Sequence, residues 1–257
     1  YLDIFFETLK HTDKPIRSNV GTRQQIENMF EMFEIAKGEK GYLKDHPSIY
    51  ASINPLSPLA YDTIPTETIM TYARHGQPVT VLCCALAGIS APMSLMGTAV
   101  MQNAEILSGL VLTQLVNPGV PFIYAPASSV PNMQTGQYVT GSPESNVINM
   151  ANIQLARQMY HLPTRTMAGL TDAKTIDAQA GFETMQNLFQ CMMGGTSIIN
   201  ECLGVMDSIM TNSYEKFILD QEMISRILTF MNGFEGAKGD LSQQVIEEIG
   251  PRGTFLY

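Results

Sequence analysis

The sequence predicts an α/β fold built from about six successive βα units. Six short runs rich in β-branched and aromatic residues recur along the chain, and a longer segment with helical periodicity follows each of them. The runs are residues 15–19, 48–54, 79–82, 122–124, 164–167 and 197–201. Between His75 and Pro143, Glu105 is the only Asp, Glu, Lys or Arg. Such uncharged stretches are typical of parallel strands that are buried on both faces.

Residues that start and stop helices fall between the predicted strands. Ser142-Pro143-Glu144 places a capping hydroxyl, an N1 proline and a first-turn acid in order. Thr22 and Asp177 are the predicted N-caps of two further helices, which run to about residues 37 and 192. Stop signals come just before the next strand. They are Gly38, Gly76, Asn117-Pro118-Gly119, Leu162-Pro163 and Gly194-Gly195.

Six βα units fit either an open doubly wound sheet or a TIM (β/α)8 barrel that is two units short. Strand spacing alone does not separate the two architectures. No G-x-G-x-x-G follows the first strand and no G-x-x-x-x-G-K-[ST] occurs anywhere, which disfavours a nucleotide-binding open sheet. We therefore expect residues 1–257 to form a single (β/α) barrel domain that lacks terminal parts of a longer protein.

Composition argues against several classes of protein. The net charge is -9 with only 15 Lys and Arg, whereas a nucleic-acid partner requires basic residues that displace counterions. Pro and Gly interrupt the uncharged stretch too often for a membrane-spanning helix, so we expect no membrane insertion. The four cysteines form no C-x-x-C pair, and without a signal peptide they suit a cytoplasmic protein. Because the four histidines are scattered, we expect no protein-bound metal.

Polar residues at the ends of the predicted strands are the first site candidates, because function in a barrel lies where strands end and βα loops begin. Glu201 directly follows the last strand and is either a substrate-facing carboxylate or an exposed loop acid. Asp172 has the same alternatives, with a loop or capping role favoured. Arg17 lies near the end of the first predicted strand, and Asn54 precedes Pro55, where it could simply form a turn.

Three tyrosines are candidates for binding a cation through their ring faces. Tyr50 and Tyr124 lie on predicted strands, and Tyr61 lies in the loop after Asn54. Burial within the strand layer is the alternative for the first two.

The segment Gly88-Ile89-Ser90-Ala91-Pro92 follows a strand and opens a helix, as a nucleophile elbow does. It lacks the second glycine of G-x-S-x-G, and proline stands in that glycine's place, which disfavours a hydrolase. The simpler interpretation is a tight loop of small residues that a flat ligand or another protein's backbone can approach closely.

Several motifs together resemble the trimethylamine methyltransferase family of corrinoid-dependent enzymes. They occur in the same order as in the family, and the resemblance runs from about Leu9 to the last residue. The motifs are residues 86–92, 103–105, 110–115, 117–121, 171–174, 177–183 and 250–253.

The resemblance implies a (β/α)8 barrel that docks a small corrinoid protein and transfers a methyl group from a methylated amine to cob(I)alamin. The corrinoid would be carried by that partner protein. In this interpretation Gly88, Ser90 and Pro92 line the mouth of the barrel towards substrate and corrinoid. Self-association into a homo-oligomer is also expected, because large barrels of this kind commonly associate.

Family members acting on trimethylamine carry pyrrolysine, and this chain shows only standard residues. The resemblance therefore points to the subgroup that uses quaternary amines such as glycine betaine. A quaternary amine leaves as a neutral amine after losing its methyl group, so no catalytic acid is required. We expect Glu201 or Asp172 to balance the ammonium, the tyrosines to face it, and Arg17 to hold a substrate carboxylate. A trimethylamine enzyme and a non-catalytic quaternary-amine binding barrel are the alternatives.

Overall fold

The computed structural model describes residues 2–18, 20–234 and 241–256 of the chain, and strands and helices alternate along it. The helices are α1 Leu2–His11, α2 Arg23–Lys37, α3 Tyr42–Asp45, α4 Thr63–Arg74, α5 Leu95–Val116, α6 Pro143–Gln158, α7 Ala178–Met193, α8 Tyr214–Asn232 and α9 Gln243–Ile249. The strands are β1 Ile16–Ser18, β2 Ile49–Ile53, β3 Val79–Cys83, β4 Phe122–Pro126, β5 Arg165–Met167, β6 Ile198–Asn200, β7 Val205–Met206 and β8 Thr211–Asn212. All six predicted strands are thus confirmed, although Asn19, the last residue of the first predicted run, lies outside the described residues.

Parallel pairing joins the first six strands in chain order. β1 to β4 form one four-stranded parallel sheet, and β5 and β6 form a parallel pair. A bridge between Tyr124 and Thr164, also parallel, connects β4 to the start of β5. The prediction of an α/β fold with parallel strands is confirmed.

A short antiparallel hairpin, β7 with β8, was not predicted from the sequence. Each of its strands has only two residues, which is too short to produce a recognisable alternation of apolar and polar residues. The hairpin fills the connection between β6 and α8.

The parallel strands present two different faces. Ile49, Ile53 and Val81 pack with residues of the covering helices, such as Ile69 and Ile106, in the main hydrophobic core. A separate cluster lies on the opposite face, because successive side chains of a strand point in opposite directions. We call this second face the inner face. Its cluster comprises Leu82, Ala125 and Ala127, with Cys84 and Met167 packed against them.

The predicted N-caps are confirmed. The Thr22 hydroxyl accepts from the Gln25 amide, and the Gln25 side chain in turn accepts from the Thr22 amide at 3.0 Å. The Ser142 hydroxyl accepts from the Ser145 amide at 3.1 Å, and the Asp177 carboxylate accepts from the Ala180 amide at 3.1 Å. These caps fix where α2, α6 and α7 begin, and so where the loops after β1, β4 and β5 end.

Helix α5 is long and apolar enough to span a membrane by length and composition, with a mean hydropathy of 1.3. Within the described residues it packs between α4 and α6 and against β3 and β4. Only 33% of its most apolar 18 residues are buried, so packing within the chain accounts for part of its apolar composition.

We expect Gly169→Ala to destabilise the protein strongly, by about 2 kcal/mol or more. Gly169 has a φ of 79°, and an added Cβ would lie 2.5 Å from the Cys202 carbonyl oxygen. The matched control is Gly181→Ala, since Gly181 is a helical glycine of α7 with open space around its Cα. This change should stabilise the protein by about 0.5–1 kcal/mol. Urea denaturation of both variants measures the difference, and equal effects would contradict it.

Candidate active site

An ion cluster joins Arg17 in the middle of β1, Arg165 at the start of β5 and Glu201 directly after β6. Glu201 Oε1 is 3.4 Å from Arg17 Nη1 and 3.3 Å from Arg165 Nη2. Arg165 Nε also donates to Asn200 Oδ1 at 2.8 Å. We call Arg17, Arg165 and Glu201 the Arg-Glu cluster. The structure therefore brings together the two charges, Arg17 and Glu201, that the sequence singled out.

Arg165 was missed in the sequence analysis although it is central to the cluster. Its side chain is only 1% exposed, and burial lowers its pKa from the ordinary value while the charge of Glu201 opposes that effect. A charged residue is rarely buried without a partner. An arginine in the middle of a predicted buried strand, residues 164–167, was therefore the signal that could have identified it.

Glu201 has an uncommon backbone conformation and a carboxylate oxygen without a hydrogen-bond partner among the described residues. Its φ is 56°, in the left-handed region that few non-glycine residues adopt. Such conformations cost free energy and are concentrated at functional sites. The second carboxylate oxygen, Oε2, is buried and has no hydrogen-bond partner among the described residues.

Tyr50, Asn54 and Cys84 belong to the same region. Tyr50 is opposite Arg17 in the sheet register and interacts electrostatically with Arg165. Asn54 Nδ2 lies 3.8 Å from Cys84 Sγ, and both residues directly follow their strands. Of the predicted substrate residues, Arg17, Tyr50 and Glu201 therefore surround Arg165, and Asn54 is connected to them through Cys84.

Cys84 faces this region but is predicted to be unreactive. Burial raises the pKa of its thiol to about 12, a shift that Arg165 opposes and Glu201 reinforces. The thiol therefore stays protonated at pH 8, and alkylation by iodoacetamide should be far slower in the folded than in the unfolded protein. Above about pH 9 only the unfolded thiol ionises, so this group should lower folding stability as pH rises towards 12. Mass spectrometry of the labelled peptide measures the rate, and equally fast labelling of folded protein would contradict the prediction.

Two predicted tyrosines lie away from the cluster. The Tyr124 side chain is fully buried in the main core, and its hydroxyl donates to Asn103 of α5 at 2.8 Å. The Tyr61 hydroxyl donates to the Glu105 carbonyl, also on α5, at 2.8 Å. Burial raises the pKa of Tyr61 to about 12. Both rings face the helices, and we leave them out of the proposed site.

Asp172 also lies elsewhere and holds loops together. One of its oxygens accepts from the Thr140 amide, the Thr140 hydroxyl and the Ser208 hydroxyl, and the other accepts from the Gly141 amide. Nearby, Glu183 of α7 accepts from the Thr171 hydroxyl and the Asp172 amide. These hydrogen bonds connect three loops through Asp172, and we leave this residue out of the proposed site.

The segment 88–92 forms a compact loop bonded to itself. Gly88 has a φ of 78°, and its amide donates to the Ala91 carbonyl at 2.9 Å. The Ser90 hydroxyl accepts from the Leu86 amide at 2.9 Å, so it stabilises the turn. Pro92 is exposed. Beside the loop a groove of about 270 Å³ is lined by Ala87, Met93, Val130, Pro131, Met133 and Glu144.

Other potential sites are less well placed. Within residues 2–18, 20–234 and 241–256, no three His, Cys, Asp or Glu side chains gather as metal ligands would. A larger cavity of about 600 Å³ is bordered by His75 and Gly76, which precede β3, and by Gly41, which precedes β2. It therefore lies at the amino ends of β2 and β3, whereas Glu201 follows the carboxyl end of β6.

The structure is an α/β protein in which Glu201, directly after β6, meets arginines of two other parallel strands. Ligands of such folds bind at the carboxyl ends of the strands. Comparison with known proteins makes the assignment specific. The chain belongs to the trimethylamine methyltransferase family, which it matches over residues 1–257.

The curated relatives of the chain are named as methyltransferases of betaines or of trimethylamine. The chain is 37% identical over 256 residues to a glycine betaine methyltransferase of Desulfitobacterium hafniense, covering 100% of this chain and 53% of that protein. It is 34% identical over 264 residues to a proline betaine:corrinoid methyltransferase of Eubacterium limosum, covering 100% and 54%. It is 34% identical over 235 residues to a trimethylamine methyltransferase of Methanosarcina thermophila, covering 90% and 48%. The chain thus spans about half the length of the curated relatives it matches.

Proposed function

We propose that the chain forms most of one (β/α)8 barrel domain. Six flat strands would place the first about 24 Å from the sixth, at the usual spacing between neighbouring strands. An arginine and a glutamate cannot bridge such a distance, yet Arg17 of β1 lies 3.4 Å from Glu201, which follows β6. The sheet must therefore curve strongly around its inner face. This curvature is the observation that supports a barrel.

On this fold we propose methyl transfer from a quaternary amine, glycine betaine or a related betaine, to cob(I)alamin on a corrinoid protein. Family membership and the betaine-directed relatives support the reaction class. The observation that carries the substrate class is the Arg-Glu cluster, which offers charges of both signs at the end of the inner face. A betaine likewise carries both a quaternary ammonium and a carboxylate.

The residues of the cluster would bind and orient the substrate. Glu201 balances the ammonium, Arg17 pairs with the carboxylate, and the ring of Tyr50 contributes a face for the methylated nitrogen. Asn54 lies beside them. The corrinoid supplies the nucleophile that accepts the methyl group, and the amine leaves neutral, so these residues need no proton transfer. Their contribution is to hold the methyl group in line and to exclude water.

The corrinoid protein would dock at the same end of the barrel. We assign Gly88, Ser90 and Pro92 to this surface because their compact loop follows β3. Cys84, which lies beside the cluster, directly follows the same strand. The apolar groove beside the loop offers a partner protein contact area. The free cysteines accord with a cytoplasmic protein. Self-association stays a prediction.

A substrate panel tests the proposal. The full protein is mixed under anaerobic conditions with cob(I)alamin and its corrinoid protein, and methylcobalamin formation is followed by absorbance. The panel contains glycine betaine, proline betaine, carnitine, γ-butyrobetaine and trimethylamine. We expect conversion with one or more betaines. Conversion with trimethylamine alone would overturn the substrate class, and ligand binding with no conversion would favour a non-catalytic binding barrel.

A further inference from the structure

The Arg-Glu cluster contains two buried polar atoms that lack a hydrogen-bond partner among the described residues. They are Arg165 Nη1 and Glu201 Oε2, and both lie out of reach of solvent. One is a donor that carries positive charge, and the other is an acceptor that carries negative charge. Leaving such groups unsatisfied is unfavourable, so each marks a position where a ligand atom would stabilise the site.

The rest of Arg165 is held firmly. Its Nε donates to Asn200 Oδ1 at 2.8 Å and its Nη2 lies 3.3 Å from Glu201 Oε1. The guanidinium plane is therefore fixed on two of its three nitrogens, while Nη1 stays available. Besides Glu201, the ionisable groups that interact with it are Arg17, Tyr50, Cys84 and Tyr138. Glu201 is the carboxylate that faces the two arginines.

We propose that Arg165 determines specificity by recognising the carboxylate of the substrate, so that the site selects carboxylate-bearing quaternary amines over amines without a carboxylate. This inference rests on the proposed function and adds a residue that the sequence did not indicate. A betaine supplies an acceptor for Nη1 and a cation for Glu201. Choline or trimethylamine supplies no carboxylate, and Nη1 stays unsatisfied. Sites built to hydrogen-bond a substrate group discriminate strongly against analogues that lack it.

Binding requires one side chain of the cluster to move, because neither unsatisfied atom is in contact with solvent. Arg17 is suited to this movement, since its side chain is 41% exposed whereas that of Arg165 is 1% exposed. Arg17 would leave Glu201 and pair with the incoming carboxylate beside Arg165. Glu201 would then exchange an arginine for the ammonium of the substrate. Two new ion pairs, Arg17 with the carboxylate and Glu201 with the ammonium, would thereby replace the one that is broken.

The test compares quaternary ammonium ligands of which only one carries a carboxylate. Binding of glycine betaine, choline and tetramethylammonium to the full protein is measured by calorimetry, first for the unmodified protein and then for Arg165→Lys. Lysine keeps the positive charge but lacks the planar guanidinium group, which can donate two parallel hydrogen bonds to a carboxylate. We expect Arg165→Lys to weaken glycine betaine binding by about 10- to 100-fold, and tetramethylammonium binding by less than about 3-fold. The control is Arg74→Lys, an exposed arginine at the end of α4, which should change neither.

A second variant guards against a folding defect in the first. Asn200→Ala leaves Arg165 in place but removes the acceptor that fixes Nε, so it should weaken glycine betaine binding selectively and by a smaller factor. Thermal melts establish that each variant is folded. Equal losses for all three ligands, or unchanged preference for glycine betaine over choline in both variants, would overturn the role of Arg165 while methyl transfer persists. If the unmodified protein neither binds nor demethylates any quaternary amine, the proposed function fails as well.

Discussion

Glu201→Gln is expected to lower kcat/KM for betaine demethylation by about 100-fold or more, because removing one partner of a buried charge pair costs roughly 2–5 kcal/mol. Glutamine preserves the size of the side chain but leaves Arg17 and Arg165 without their anion. The ammonium of the substrate would then face two positive charges. Steady-state kinetics with the cognate corrinoid protein measures the effect.

The control for this prediction is Glu39→Gln, a change of an exposed acid directly after the C-cap of α2. It removes the same charge from the protein and should alter kcat/KM by less than about 2-fold, since it breaks no buried pair. If both variants lose activity equally, the effect comes from net charge and not from the cluster. If Glu201→Gln is fully active, Glu201 does not balance the substrate.

Asp220→Ala is expected to destabilise the protein by about 3–5 kcal/mol, because it leaves the buried ammonium of Lys216 without a counter-charge. Lys216 Nζ lies 2.7 Å from Asp220 Oδ2 and also donates to the Gly169 carbonyl at 2.8 Å. Asp220 Oδ2 accepts from the Gly204 amide at 2.7 Å. The pair thus connects the loop after β5 to the loop after β6, and α8 carries both residues.

The same helix supplies a matched control in Glu222→Ala. Glu222 pairs with Arg226 at 2.9 Å with the same i,i+4 spacing, but both side chains are more than 60% exposed. An exposed pair of this kind contributes less than about 1 kcal/mol. Chemical denaturation of the two variants provides the comparison. Similar losses would show that burial of the Lys216–Asp220 pair has no special role in stability.

The strands and helix caps could be predicted because their signals are local. Ser142-Pro143-Glu144 and the apolar run 79–82 carry the information about capping and strand formation within a few residues. The ends of the strands then follow, and with them the positions of Arg17 and Glu201. The sequence could not show that these two charges meet, because their contact joins residues 184 positions apart and depends on the curvature of the whole sheet.

The face towards which a strand residue points was harder to predict. A shift of one residue exchanges the two faces of a strand, and Tyr124 accordingly lies on the helix side while Tyr50 is grouped with the cluster. Asp172 illustrates a different difficulty. Its position after a strand suits a ligand contact, but Thr140, Gly141 and Ser208 occupy its oxygens. Only the folded arrangement of distant loops brings these donors together.

The bridge between Tyr124 and Thr164 has a consequence for motion. It is the one pairing between β4 and β5 among the described residues, whereas β3 and β4 are paired over five positions. A fluctuation that separates β4 from β5 therefore breaks fewer backbone pairings than one that separates β3 from β4. Because Arg165, Asn200 and Glu201 all belong to the β5–β6 side, they would shift as a unit. The Arg17–Glu201 contact would separate first, and the inner face would admit a ligand without unfolding a strand.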